Sequence, residues 1–237
     1  MGAWSVKVGI WESEGRILTR IKPMLFNTDM VQAIRNGRKT VTRRLIMPHN
    51  RKKAKEQGYV QGSGLWIDPR TDNGDKEGHI KDYSISSCWM SYGLYAEKYA
   101  DYKPGDILYV REKWCKNPTS GEYYYAANRK RGADAPYGLK WHPSIHMPEE
   151  AARIWLRVKD VRIEQLCSMD LDDFLSEGVC IRPEAFSDPE NAHMQAKDEF
   201  IELWNSTISK GQQNLYGWTA NPWVWAIEFE QCERPKR

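Results

Sequence analysis

The chain is cut into short β-like runs separated by turn residues, and this punctuation limits its possible folds more than any other feature. Residues 22–26 read as a first strand, with Pro23 at an edge position where a missing N–H is tolerated. Residues 39–45 form a second, in which threonine and valine raise the β-propensity. The turn signal Lys103-Pro104-Gly105-Asp106 leads into a strand over 107–112. Further runs fall at 122–127, 153–163 and 223–229. The helices between them are brief. Asn27 and Thr28 are N-cap candidates for a helix whose apolar face carries Met30, Val31 and Ile34, with Gly37 at its end. A second helix is predicted over 169–177, with Ser168 or Asp170 as cap and Gly178 as stop, and a third over 191–204. Short strands with few, short helices predict an α+β fold, a small mixed β-barrel with short flanking helices, in preference to a doubly wound sheet.

Residues 46–104 differ in character. They run from a basic 52–55 through a Gly-, Asp-, Asn- and Lys-rich 58–78 to a stretch with Trp89 and four tyrosines. We read them as a long insertion, partly ordered, within one domain over 22–237 that follows an N-terminal extension over 1–21. The longest apolar run, residues 223–227, has five residues, against the roughly 18 a membrane span needs. The first residues lack the basic and apolar regions of a secretory signal, so a cytoplasmic protein without membrane contact is expected. The five cysteines (88, 115, 167, 180 and 232) form no CxxC pair, and the five histidines are scattered. No metal site is expected. No glycine-rich phosphate loop is present, and no cofactor is expected.

Charge is unevenly spread. Nine lysines and arginines and no acid lie between Val31 and Lys55. Such a run is most often a solvated face, but it also suits phosphate-bearing partners. Eleven tryptophans add potential stacking surfaces for bases, although most such side chains serve as packing.

Within that stretch, Gly37, Lys39, Thr42 and Arg44 fit the pattern G-x-K-x-x-T-x-R just after a short helix. The strand Gly105-Asp106-Ile107-Leu108-Tyr109-Val110 and the closing run 223–229, entered through Asn221-Pro222, follow in order. Together these blocks resemble the ASCH family, a PUA-like β-barrel group, and in particular its longer members common in phages and prophages. The resemblance covers residues 22–45, 103–114 and about 153–230. It implies a domain that receives RNA or a modified nucleotide, with DNA as a second option.

Small bacterial ASCH enzymes hydrolyse N4-acetylcytidine with a lysine and a threonine of this motif and a later glutamate. The resemblance therefore implies Lys39, Thr42 and Glu177 as catalytic candidates, Glu177 being carried over by its spacing from Leu166. The chemistry is coherent: a threonine hydroxyl needs a base, an amine with lowered pKa can be one, and a carboxylate can carry the proton to a leaving amine. Glu112 and Glu164 are alternative carboxylates. Arg38, Arg43, Arg44 and Arg111 are candidates to hold phosphate or a developing oxyanion. In a regular strand Thr42 and Arg44 share a face while Lys39 points the other way, so a Lys39–Thr42 pair requires the strand to begin after Lys39. Three functions remain open: a nucleic-acid binder with a basic cleft, a hydrolase of an N4-acylated cytidine or an RNA phosphodiester, and a phage accessory protein that binds a host protein.

Overall fold

The computed structural model describes residues 20–46, 60–62, 65–67, 79–82, 88–91, 96–98 and 100–236. Nearly all of the expected N-terminal extension and most of the expected insertion lie outside the described residues. The strands are β1 (Ile21–Leu25), β2 (Val41–Leu45), β3 (Val60–Gly62), β4 (Leu65–Ile67), β5 (His79–Asp82), β6 (Cys88–Ser91), β7 (Ile107–Arg111), β8 (Trp114–Lys116), β9 (Tyr123–Tyr125), β10 (Trp155–Gln165) and β11 (Trp223–Cys232). The helices used below are α1 (Thr28–Arg35), α2 (Leu171–Ser176) and α3 (Pro189–Thr207). No described helix is long and apolar enough to cross a membrane.

A five-stranded mixed sheet has the order β1-β7-β10-β11-β2. β1 runs parallel to β7, while β10 is antiparallel to β7 and β11 to β2. The other strands form the two-stranded pairs β3–β4, β5–β6 and β8–β9. Five of the six runs expected as strands share this sheet, the exception being 122–127. The expected barrel is not formed: β1 and β2 are the two edges, and no ladder joins them among the described residues. Closure would require those edges to pair. Instead, a carboxylate from the end of α2 occupies the open side of β2, as described below.

Helix boundaries follow local capping. Asn27 accepts from the Met30 N–H at 2.8 Å, and Gly37 takes the left-handed φ of +72° that ends α1. Asp170, not Ser168, caps α2, in a reciprocal capping box with Asp173. α3 starts earlier than expected because Asp188 caps it and Pro189 fits its first turn. It also runs on to Thr207. The run expected over 122–127 shortens to β9, outside the five-stranded sheet.

The described residues divide into two compact units. One draws on 41–103 and 160–228, the other on 20–40, 104–159 and 229–236. In the first, α3 buries Ala192, Ala196, Phe200 and Trp204 at four-residue spacing, which makes one helical stripe. Phe174 of α2 meets Phe200 at 5.4 Å and Trp218 at 6.1 Å between ring centroids, and Val224 of β11 completes the contact. In the second unit, Ile107, Tyr109, Met147, Ala151 and Trp155 form the core beneath Trp114, Tyr123 and Tyr125. There the buried Glu112 is held by the Arg153 guanidinium at 2.8 and 2.9 Å, and Arg20 grips Asp106 in the same two-pronged way.

Phe174 is fully buried at the centre of the first unit's aromatic cluster. Phe174→Ala is expected to cost about 3–5 kcal/mol in urea unfolding, the range for emptying an aromatic site in a packed core. A midpoint equal to that of wild type would contradict this packing.

Candidate functional site

The motif strand β2 begins at Val41, after Lys39, and its two faces differ in kind. Its register with β11 pairs Thr42 with Ile227, Arg43 with Ala226, Arg44 with Trp225 and Leu45 with Val224. Side chains alternate across a strand. Arg43 and Leu45 therefore share one face with Ala226 and Val224, and Leu45 and Val224 belong to the aromatic core of this unit. Thr42 and Arg44 share the opposite face with Ile227 and Trp225.

On the core face the Arg43 side chain has no exposed surface. Its Nε donates to Glu164 of β10, and its Nη2 donates to Asp173 of α2 at 2.6 Å. Its Nη1 lies 3.4 Å from Glu177. The small Ala226 on the intervening strand leaves room for the guanidinium to reach from β2 to β10. Asp173 divides its oxygens, one toward Arg43 and one toward the N–H of Asp170. Arg162, next but one to Glu164 on β10, also donates to Glu164 at 3.2 Å.

The Glu177 carboxylate performs a second task. Its Oε1 accepts the main-chain N–H of Arg43 at 2.6 Å. β2 is an edge strand, and its Arg43 N–H points away from β11, where another strand would otherwise pair. A charged carboxylate in that position satisfies the donor and blocks strand addition. Gly178, with φ of +91°, stops α2 so that Glu177 sits at this edge.

The electrostatics follow from this packing. Burial works against the Arg43 charge, but Glu164, Glu177 and Asp173 outweigh it and raise its pKa. Burial also holds the Glu164 carboxyl above its ordinary value, and Arg43 and Arg162 offset only part of that. The two directions agree physically, because Arg43 draws on three acids whereas Glu164 shares its arginines with rivals. On the other face, burial lowers the Arg44 pKa, countered in part by Tyr102 and Glu177. Three guanidiniums (Arg43, Arg44, Arg162) thus balance three carboxylates (Glu164, Asp173, Glu177) around β2.

The expected site residues fall into distinct settings. Thr42, Arg43, Arg44 and Glu177 belong to the first unit. Thr42 and Glu177 are buried, and Arg44 is half-buried. Arg43, expected as a phosphate contact, is instead enclosed by carboxylates and has no surface to offer a phosphate. Arg38, Lys39 and Arg111 belong to the second unit. Arg38 is exposed, whereas Lys39 is buried with its ammonium 5.9 Å from the Phe26 ring centroid. Arg111 donates to the Met147 carbonyl at 2.7 Å and lies over Tyr109. Asp173, Arg162, Tyr102 and Trp225 were not singled out from the sequence. Asp173 alone left a local signal, as the third residue after a capping aspartate. Among the described residues, no group of His, Cys, Asp and Glu side chains could hold a metal ion. Comparison with protein-family models, characterised proteins and solved structures finds no match to this chain.

Removing Arg43 would leave the buried Glu177 and the partly buried Glu164 and Asp173 short of their shared cation. Arg43→Met is therefore expected to cost about 3–5 kcal/mol in urea unfolding. Arg43→Lys should also destabilise, because a single ammonium cannot reach three acids from a fixed fork. Either variant unfolding at the wild-type midpoint would contradict this arrangement. A second expectation concerns pH. A carboxyl with a raised folded-state pKa costs stability when ionised, and that cost fades as pH falls through its folded pKa toward the unfolded value. Wild type should therefore gain stability relative to Glu164→Gln between neutral and mildly acidic pH. The opposite slope in paired urea titrations would show that the arginines, not burial, govern Glu164.

Proposed function

We propose that this protein binds nucleic acid through a PUA-like domain of the ASCH type, with RNA or a modified nucleotide received at the half-buried Arg44 of β2. The observation that carries this reading is Arg44. It is a half-buried guanidinium beside Thr42 and Trp225, and burial disfavours its charge. An incoming phosphate would add a full negative charge beside a guanidinium whose nearby carboxylate, Glu177, is shared with Arg43. Tyr102 belongs to the same unit and is half-buried, so part of its ring can meet a base, whereas Thr42 and Trp225 are buried beside Arg44. Nothing in this reading needs Arg43, whose place is structural.

A hydrolytic reading of the same face rests on Glu177. Its carboxylate meets the edge of β2 between Thr42 and Arg44, within electrostatic reach of Arg44. Thr42 would then add to the acyl carbon of an N4-acylated cytidine, and Glu177 would pass the proton to the departing amine. Water would release the acyl group from Thr42. Glu177→Gln keeps an acceptor for the Arg43 N–H, so it should preserve the fold while abolishing turnover.

Fluorescence anisotropy with RNA and DNA oligonucleotides over a salt series tests the main reading. Affinity should fall steeply with salt as counterions are released. Arg44→Ala should weaken binding to every sequence and reduce the log–log salt slope by about 0.7 for a single strand. Thr42→Val should bind almost as wild type, yet lose all turnover if the hydrolytic reading holds. Absence of binding to either nucleic acid at low salt would remove this reading and leave the accessory-protein alternative.

A further inference from the structure

The second unit carries aromatic and basic residues that the reading at Arg44 does not use. Residues 113–142 include six lysines and arginines against two acids. β8 and β9 pair Trp114 with Tyr125, Cys115 with Tyr124 and Lys116 with Tyr123. Trp114, Tyr123 and Tyr125 lie on the face that packs against the core of this unit. Tyr124 lies on the other face. Its ring meets Tyr137 edge-on, with centroids 5.8 Å apart.

Tyr137 is the unusual residue. It is 79% exposed and holds a left-handed backbone, φ 55° and ψ 31°, which costs a bulky residue energy and which glycine adopts freely. Folding gains little from an aromatic ring left in water, so packing does not account for the ring or the strained backbone beneath it. The loop that presents it is nonetheless anchored. The Trp141 indole donates to the Ala133 carbonyl at 3.0 Å, and Leu139 N–H closes a turn on Pro136.

Basic residues precede the Tyr137 loop in the chain, while the Tyr124 hydroxyl donates to Glu122 at 2.6 Å. Arg129, Lys130 and Arg131 are all exposed. The Asn128 carboxamide oxygen accepts from Arg35 at 2.6 Å and from Arg153 at 2.8 Å, and so brings the end of α1 to the same loop. Arg129 also lies close enough to Cys115, the cross-strand partner of Tyr124, to oppose the effect of burial on that thiol. Arg131 lies 3.6 Å from Asp29, and both side chains are exposed. Exposed rings together with exposed cations are the recurring means of holding single-stranded nucleic acid, because every base has a stacking face and every linkage a phosphate.

We propose that Tyr137, backed by Tyr124, is a stacking platform for a base of single-stranded nucleic acid, with Arg35, Arg129, Lys130 and Arg131 holding the adjoining phosphates. This inference shares with the reading above the claim that nucleic acid is the ligand, but it uses none of the β2 residues.

The test measures anisotropy of a labelled single-stranded RNA and of the corresponding duplex against wild type, Tyr137→Gly, Tyr137→Trp and Arg44→Ala. Tyr137→Gly relieves the left-handed strain, so its unfolding midpoint should not fall below that of wild type. Its affinity for the single strand should nevertheless drop about 5- to 150-fold, the range for losing one base–aromatic stack. Tyr137→Trp should restore binding, and the duplex should be bound more weakly than the single strand by wild type. Wild-type affinity in Tyr137→Gly would overturn the platform. If Arg44→Ala loses affinity while Tyr137→Gly does not, nucleic-acid binding at β2 stands and the platform fails. If wild type binds neither probe at low salt, both proposals fail.

Discussion

One buried guanidinium organises the first unit. Arg43 lies between the sheet and α2, with three carboxylates arriving from β10 and from the two ends of α2. A charge in that position is tolerable only because each prong of the fork finds an acceptor, and the orientation of α2 relative to the sheet follows from that demand. The apolar contacts of Phe174, Phe200 and Trp218 supply the attraction, but they are forgiving about angle and register. The ion cluster is not, because its bonds are directional. The aromatic cluster thus accounts for cohesion and Arg43 for placement.

The same cluster sets the two faces of one strand apart. Alternation along β2 sends Arg43 to the aromatic core and Thr42 and Arg44 to the opposite face beside Trp225, where only Arg44 keeps some exposure. Glu177 stands at the edge between the two sides, bonded to the main chain of Arg43 and felt by Arg44. A ligand that draws on Arg44 would therefore alter the balance around Glu177, and through it the contacts of α2. Arg44 and the core ion cluster are linked through one carboxylate.

The second unit solves a similar problem with fewer charges. The buried Glu112 takes both prongs of Arg153, and that guanidinium also lies 4.0 Å from the Tyr125 ring centroid, so one side chain ties β9 to the strand end after β7. Because that aromatic is occupied, it cannot serve a ligand, and the same holds for Tyr123, whose hydroxyl donates to Glu150. Tyr137 differs, since its ring lies largely in solvent.

Local physics was legible in the chain. The five sheet strands, the Asn27 cap, the stop at Gly37, the Asp170 cap and the stop at Gly178 all depend on a few adjacent residues, and their positions followed from propensity and turn chemistry. The Thr42–Arg44 segment was legible as a strand, but the bond of Glu177 to its edge was not; the family resemblance had offered Glu177 only as a catalytic candidate. What the chain could not show was which of its cations were already matched. The stretch from Val31 to Lys55 contains no acid, yet Arg43 is neutralised by carboxylates 121, 130 and 134 residues further on. Closure of the sheet was hidden for the same reason, because the fate of an edge strand depends on what a distant helix brings to it. Backbone preferences act between neighbours in sequence, whereas charge pairing and edge capping act between neighbours in space, and only the tertiary structure makes those neighbours.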